Sequence, residues 1–155
     1  VRVLARLQHV GAWAVACDSA GLAERTTEQT AEYARQREQF GRPIGSFQAI
    51  KHKCANMAIA VECSGAAVSL GLQSLVDESL DAAAVAAAVS TAKAYAGDAA
   101  VKVCSDAMQV HGGIGFTWEH DAHIWLKRAQ LNRALFGSST WHRRRVADAV
   151  LSKHG

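Results

Sequence analysis

Asp81-Ala82-Ala83-Ala84-Val85-Ala86-Ala87-Ala88-Val89-Ser90 opens the stretch whose reading decides the fold. Asp81 is a good helix cap, and the alanines behind it carry the highest helix propensity of any residue. The helix they start buries Val85, Val89, Ala92, Ala96, Ala99, Val103 and Ala107, small side chains that permit close approach of neighbouring helices. Gly112-Gly113-Ile114-Gly115 ends it. Upstream, Asp77 to Asp81 is a polar joint, and before it Ile50, Cys54, Met57, Val61, Val68, Leu72 and Leu75 form the buried stripe of another helix, capped by Ser46. Gly41-Arg42-Pro43-Ile44-Gly45 is the clearest breaker in the chain. It closes a first helix, Val1 to about Arg37, marked by Leu4, Leu7, Gly11, Ala14 and Val15 at three- and four-residue steps. Downstream, a fourth helix spans about His120 to Leu135 and a fifth about Ser139 to Ser152, with Gly137-Ser138 between them.

The whole composition agrees with this reading. Among 155 residues there are 31 Ala and only one Pro, which favours helices over a turn-rich sandwich or barrel. Half the residues are apolar, which excludes disorder, and a net charge of +3 is too small to point to nucleic acid. No apolar run reaches the roughly 18 residues of a membrane span, and the start has no basic-then-apolar signal pattern. Cys17, Cys54, Cys63 and Cys104 are widely spaced without a Cys-x-x-Cys, so reduced thiols in a cytoplasmic setting are expected. Long helices joined by short polar breaks predict an all-α antiparallel up-and-down four-helix bundle with an additional C-terminal helix, forming one domain over residues 1–155.

Three segments carry a family resemblance. Tyr33-Ala34-Arg35-Gln36-Arg37-Glu38-Gln39-Phe40-Gly41-Arg42-Pro43-Ile44, followed by Phe47-Gln48, resembles the YAxxRxQFGxPIxxFQ signature of acyl-CoA dehydrogenases. Asp106-Ala107-Met108-Gln109-Val110-His111-Gly112-Gly113-Ile114-Gly115-Phe116 resembles that family's DAxQxxGGxGF segment, and Ser90-Thr91-Ala92-Lys93-Ala94-Tyr95-Ala96 its S-x-A-K-x-F-A. Order and spacing agree, and the likeness runs over essentially the whole chain. It is to the C-terminal helical domain, without the family's N-terminal helical and middle β domains. The resemblance implies FAD as cofactor and an acyl-CoA thioester as substrate. It implies FAD contacts for Arg37, Gln39 and Phe40, often across a subunit interface, and for Gln109, Gly112 and Gly113 around the adenosine and diphosphate. It carries Gln48 over more weakly, and it puts Ser138 and Thr140 at flavin-contacting polar positions. Taken alone, the glycines would only stop a helix and Arg37 would be a surface charge; a Gly-rich turn nonetheless lets donors approach a phosphate.

One departure from the pattern bears on catalysis. The reaction needs a carboxylate over the substrate α carbon while hydride leaves the β carbon. In most of the family this is the Glu of a Y-E-G-T loop; here the matching residues are Leu135-Phe136-Gly137-Ser138, and Phe136 cannot accept a proton. Some relatives carry the Glu on the first helix of this domain, a position that falls at about Gly11. Asp18 lies two turns further along that face with too short a reach. Trp118-Glu119-His120-Asp121-Ala122-His123 also departs from the usual pattern and resembles divergent actinobacterial members, several of them paired subunits of heteromeric enzymes with one silent partner.

Other clusters read as ordinary structure. His120 and His123 are not in a His-Glu-x-x-His pattern, and no metal site is expected. His142-Arg143-Arg144-Arg145 reads as a solvated helix face near a C-terminus rather than a phosphate grip. Trp13, Trp118, Trp125 and Trp141 read as core or interface aromatics, and Cys17 as a buried thiol. Two functions of different class follow: a domain of an FAD-dependent acyl-CoA dehydrogenase acting on a fatty acyl or steroid side chain, or a catalytically silent partner subunit. Both imply homo- or hetero-oligomers with dehydrogenase-type subunits and leave the electron acceptor open, and neither has the chain turning over substrate alone.

Overall fold

The structure, a computed structural model, describes residues 2–117 and 120–151. Helix α1 (Arg2–Gln36) leads into a hairpin of two short strands, β1 (Glu38–Gln39) and β2 (Arg42–Pro43), in antiparallel register with Gln39 opposite Arg42. A 3-10 turn (Ile44–Ser46) then feeds α2 (Gln48–Val76), followed by α3 (Ala82–His111), a second 3-10 turn (Gly112–Phe116), α4 (Ala122–Ala134) and α5 (Ser139–Leu151). Helix α3 is the axis of the antiparallel bundle and packs against each of the other four helices. The expected Trp118-Glu119 stretch and Ser152 lie outside the described residues.

Small residues make this bundle tight. The buried stripe of α1 is Ala12, Ala16, Ser19, Ala23, Thr26, Thr30 and Ala34, at steps of three and four. That of α3 runs from Val89 through Ala92, Ala96, Ala99, Val103 and Ala107, as expected, with Val85 only half-buried. Between them Ala23, Met57, Ala100, Val103, Cys104, Ala107 and Ala129 form the main core cluster. Several buried hydroxyls are satisfied within their own helices: Ser19 Oγ donates to the Val15 carbonyl (2.8 Å), Thr30 to Thr26 (2.7 Å) and Ser64 to Ala60 (2.7 Å). Gly71 leaves room for the Trp13 indole, whose Nε1 donates to the Val68 carbonyl at 3.0 Å.

Several expectations need correction. Ser46 does not cap α2: Phe47 occupies the cap position without a side-chain bond, while Ser46 Oγ donates back to Pro43. The α2 stripe is as expected in part: Met57 is buried, Ile50, Cys54, Val61, Val68 and Leu75 are half-buried, and Leu72 is exposed, while the other fully buried positions, Ser64, Gly71 and Ser74, carry small side chains where the helices come close. Leu4, Leu7 and Ala14 of α1 are exposed, off the line of Ala12, Ala16 and Ser19 that faces the bundle. Helix α4 starts at Ala122 rather than His120. Finally, α2 does contain an 18-residue window of mean hydropathy 1.5, long and apolar enough by length and composition to cross a membrane. Isoleucine, valine, leucine and alanine supply that hydropathy, but Glu62, Ser64 and Ser69 interrupt any continuous apolar run, and α2 packs along α1 and α3. The Asp81 cap is as expected, its carboxylate accepting from the Ala84 amide at 2.7 Å.

Candidate functional site

The expected site residues gather in two places. The first is the end of the bundle where α1 and α3 finish. The Tyr33 ring stacks on the His111 imidazole at 4.4 Å, and its hydroxyl reaches the His111 carbonyl at 3.5 Å. This ties the last turn of α1 to the last turn of α3, so Arg37 and the hairpin lie at the same end as Gln109, Gly112 and Gly113. His111 is buried and donates from Nδ1 to the Ala107 carbonyl at 2.8 Å. Burial pushes its pKa down and keeps the ring neutral, with a smaller push from His120 against the opposing Ala107 bond.

At that end the backbone stops α3 abruptly. Gly112 has φ +64° and ψ −141°, which glycine adopts without a Cβ penalty. Gly113 is different: its φ is not positive, it is exposed, and a Cβ there would meet nothing among the described residues. Neither its conformation nor its packing among the described residues requires glycine at 113. The hairpin tip has positive φ at Phe40 (+55°) and Gly41 (+75°), a type I′ arrangement. It leaves the Phe40 ring 92% exposed, touching only Phe47 edge-on among the ring pairs of the described residues. Gln39 donates to the neighbouring Glu38 carbonyl at 2.8 Å, and Gln48, the first residue of α2, is exposed, as is Arg37.

Beside them lies a charged cluster without a local sequence signal. Asp106 is buried and takes Lys53 at 2.9 Å on one oxygen and Lys102 on the other. Burial would raise its pKa, but the hydrogen bonds from Lys102 and Lys53 outweigh that and hold it below the usual carboxylate range. Lys53 Nζ also donates to Gln109 Oε1 at 2.6 Å.

The second place is the α4–α5 break against the first third of α1. Phe136 (φ +56°) and Gly137 (φ +111°) form a left-handed kink that lays the Phe136 ring on Gly11. The two positions from which the resemblance would draw a base are therefore neighbours, and neither bears a carboxylate. Asp18 is engaged elsewhere, accepting from Arg128 (3.0 and 3.1 Å) and from Asn132 of α4. Below the kink is a cavity of about 220 Å³ lined by His9, Ala12, Val89, Phe136, Trp141 and Arg145, among others.

Residues of α3 and α5 hold this kink. His142 is buried and donates from Nε2 to the Phe136 carbonyl (3.1 Å), so its Nδ1 accepts from Ser90 Oγ (3.0 Å). Burial drives its pKa down to about 4, helped by Lys93, Arg145 and His9 and opposed by the Phe136 bond. Lys93 is fully buried and donates to the Arg133 and Gly137 carbonyls, both at 3.3 Å. Burial lowers its pKa, against the pull of Asp98. Asp98 in turn accepts from Ser139 (2.8 Å), Arg133 (2.9 Å) and Arg143 (2.5 Å). The expected solvated basic face is thus corrected in part: His142 is core, Arg143 is paired, and the Arg145 guanidinium lies over the Trp141 ring at 4.7 Å. Ser138 Oγ accepts from the Trp141 amide (3.2 Å) and caps α5, while Thr140 in the first turn is exposed.

The two places are not one site. Twenty-five residues of continuous helix separate Gly11 from Gln36, about 38 Å at 1.5 Å per residue. Among the described residues no cluster of three or more His, Cys, Asp or Glu could hold a metal ion. Cys17 is half-buried and its thiol is pushed up by burial, as is Cys104, to about 11; both are poor nucleophiles.

Comparison with known proteins gives a consistent picture. A family model described as acyl-CoA dehydrogenase, C-terminal domain, matches residues 2–151. The chain is 43% identical over 143 residues to acyl-CoA dehydrogenase FadE34 of Mycobacterium tuberculosis, covering 92% of this chain and 20% of that protein. It superimposes on the ChsE4–ChsE5 complex of the same organism with TM-score 0.86 at 30% identity, covering 94% of this chain and 38% of the other. It superimposes on butyryl-CoA dehydrogenase of Megasphaera elsdenii with TM-score 0.87 at 27% identity, covering 95% and 38%. The chain thus spans about a fifth to two fifths of the length of such relatives.

Proposed function

This chain belongs to the acyl-CoA dehydrogenase C-terminal domain family, and we propose that it serves FAD-dependent α,β-dehydrogenation of an acyl-CoA thioester in a cytoplasmic assembly, by lending contacts to the FAD adenosine and diphosphate and by building the subunit interface. The observation that carries this is Gly113: an exposed glycine at which a Cβ would meet nothing among the described residues, two positions past His111, whose ring stacks on Tyr33 and holds Arg37 at the same end as Gln109. The donor set fits an anionic diphosphate. Two lysines against the one carboxylate of Asp106 leave a positive excess beside Gln109, and Arg37 is exposed.

When bound, FAD supplies the acceptor for the hydride that leaves the substrate β carbon. The chain's own residues bind and orient it: Arg37 and the Gln109 amide donate to oxygens, the surface at Gly113 admits close approach, and the Phe40 ring covers an apolar face. Ser138 and Thr140, some 38 Å away along α1, serve a second composite site completed by another subunit. The oligomer this requires is supported by an apolar stripe on the outer side of α2, Ile59, Cys63, Ala66 and Leu70, all exposed at helical spacing.

The reading is tested by flavin retention through gel filtration in the assembled protein containing this chain. Arg37→Ala and Gly113→Val are each expected to lose FAD while circular dichroism stays helical; full occupancy in both would remove the FAD role.

A second reading, a catalytically silent partner in a heteromeric dehydrogenase, is favoured by one observation: Phe136 packs on Gly11, so both base positions lack a carboxylate. The two readings are compatible if another subunit supplies the base. The solved ChsE4–ChsE5 complex, to which the fold is similar, supports such an assembly.

A further inference from the structure

We propose that Lys53 is a positioning residue that sets Gln109 as a hydrogen-bond donor toward the phosphate or ribose oxygens of a bound dinucleotide; this deepens the FAD-contact reading and rests on it. The two ends of a Gln side chain are chemically opposite, one accepting and one donating, and which end faces a ligand decides what the ligand must be. Here the neighbour decides it. An ammonium has three donors and no acceptor, so the atom of Gln109 that lies 2.6 Å from Lys53 Nζ must be the carbonyl Oε1. The Nε2 amide is then the end that Gln109, itself exposed, has to offer. A ligand presenting oxygen acceptors fits it; one presenting N–H donors does not.

Lys53 is itself held for this task. Its Nζ also donates to Asp106 Oδ1 at 2.9 Å, and Asp106 is buried on α3, one turn before Gln109. Lys102, one turn earlier still, binds the other oxygen. The carboxylate is thereby fixed from both sides, the ammonium of Lys53 is fixed by the carboxylate, and the amide is fixed by the ammonium. The chain of contacts crosses from α2 to α3 over sequence separations of 53 and 56 residues. The same cluster carries one more positive than negative charge, which favours a diphosphate over a neutral ligand.

The experiment measures the FAD dissociation constant by flavin fluorescence in the assembled protein, for wild type, Lys53→Met, Lys53→Arg, Gln109→Ala and the Lys53→Met/Gln109→Ala double variant, with Arg37→Ala as the reporter of the FAD reading. Lys53→Met keeps the side-chain length and leaves Lys102 on Asp106, so the bundle is retained, which circular dichroism checks. The expected result is about three- to tenfold weaker FAD binding in Lys53→Met and in Gln109→Ala, the size of one net hydrogen bond. The double variant should be no weaker than either single variant, and Lys53→Arg should recover most of the affinity. Additive losses would overturn the proposal, since Lys53 would then act on FAD as a bare charge. Unchanged affinity in Lys53→Met with a loss in Gln109→Ala would overturn it too, while leaving the FAD reading intact. Unchanged affinity in Gln109→Ala and Arg37→Ala would overturn both. If Lys53→Met unfolds, Lys53→Leu, which likewise has no donor for Gln109 Oε1, takes its place with the same expectations.

Discussion

The ring of Phe136 occupies the space that a side chain at Gly11 would need: a Cβ built on Gly11 falls 2.5 Å from Phe136 Cζ. Glycine at 11 and the aromatic at 136 are one packing arrangement, assembled from residues 125 positions apart by the left-handed kink at Phe136 and Gly137. The Phe136 ring is about half exposed, so it has somewhere to move.

Gly11→Ala is therefore expected to cost about 1 kcal/mol in the wild-type background, at the low end of overpacking because the ring can yield. In a Phe136→Ala background the same change should stabilise by about 0.5–1 kcal/mol, the ordinary gain of Ala over Gly inside a helix. Urea denaturation of the four species checks this; a destabilising Gly11→Ala in both backgrounds would refute the packing relationship.

The purified chain is expected to show no dehydrogenase turnover, because neither Gly11 nor Phe136 can take a proton and Asp18 is held by Arg128 and Asn132. Reduction of a dye acceptor by the chain with an acyl-CoA and FAD would contradict it.

Stability should fall on the acid side through His142. Its folded pKa of about 4 lies below the ordinary histidine value of 6.5, so the unfolded state binds more protons between the two. The contribution is complete above pH 6.5 and is lost as pH falls toward 4, by roughly 2–3 kcal/mol. Denaturation midpoints across that range should show this slope, and His142→Asn should flatten it. An equally steep slope in the variant would assign the acid sensitivity to other groups.

The outer stripe of α2 should drive self-association. Sedimentation is expected to show mass rising with concentration, and Ile59→Lys with Leu70→Lys should shift the protein toward monomer without loss of helix. A wild-type protein that stays monomeric at high concentration would count against this surface.

Legibility in the sequence followed the range of the interactions. The Asp81 cap, the α3 stripe and the glycine stop at 112 each depend on neighbours within a few residues, so spacing and residue type sufficed to find them. The α2 stripe was legible in part: Met57 is buried and Val61 and Val68 pack against the core, whereas the fully buried Ser64, Gly71 and Ser74 were missed because hydropathy favours large side chains and takes no account of how closely α1 and α3 approach. Ser90 and Lys93 were visible as part of a motif, yet their work on the 136–137 kink needed α4 and α5 in place.

The sequence by itself determined that the chain is an all-helical bundle, where its helices end and which family it resembles, since helix propensity, capping and motif order are local properties of the chain. Only the tertiary structure decided that Gly11 and Phe136 touch, that Lys53 fixes the orientation of Gln109, and that the expected cofactor residues fall into two groups some 38 Å apart along α1. The reason is physical: side-chain contacts across a bundle depend on how far helices rotate and slide against one another, and that is set by the packing of alanines and hydroxyls over the whole interface, which no single segment encodes.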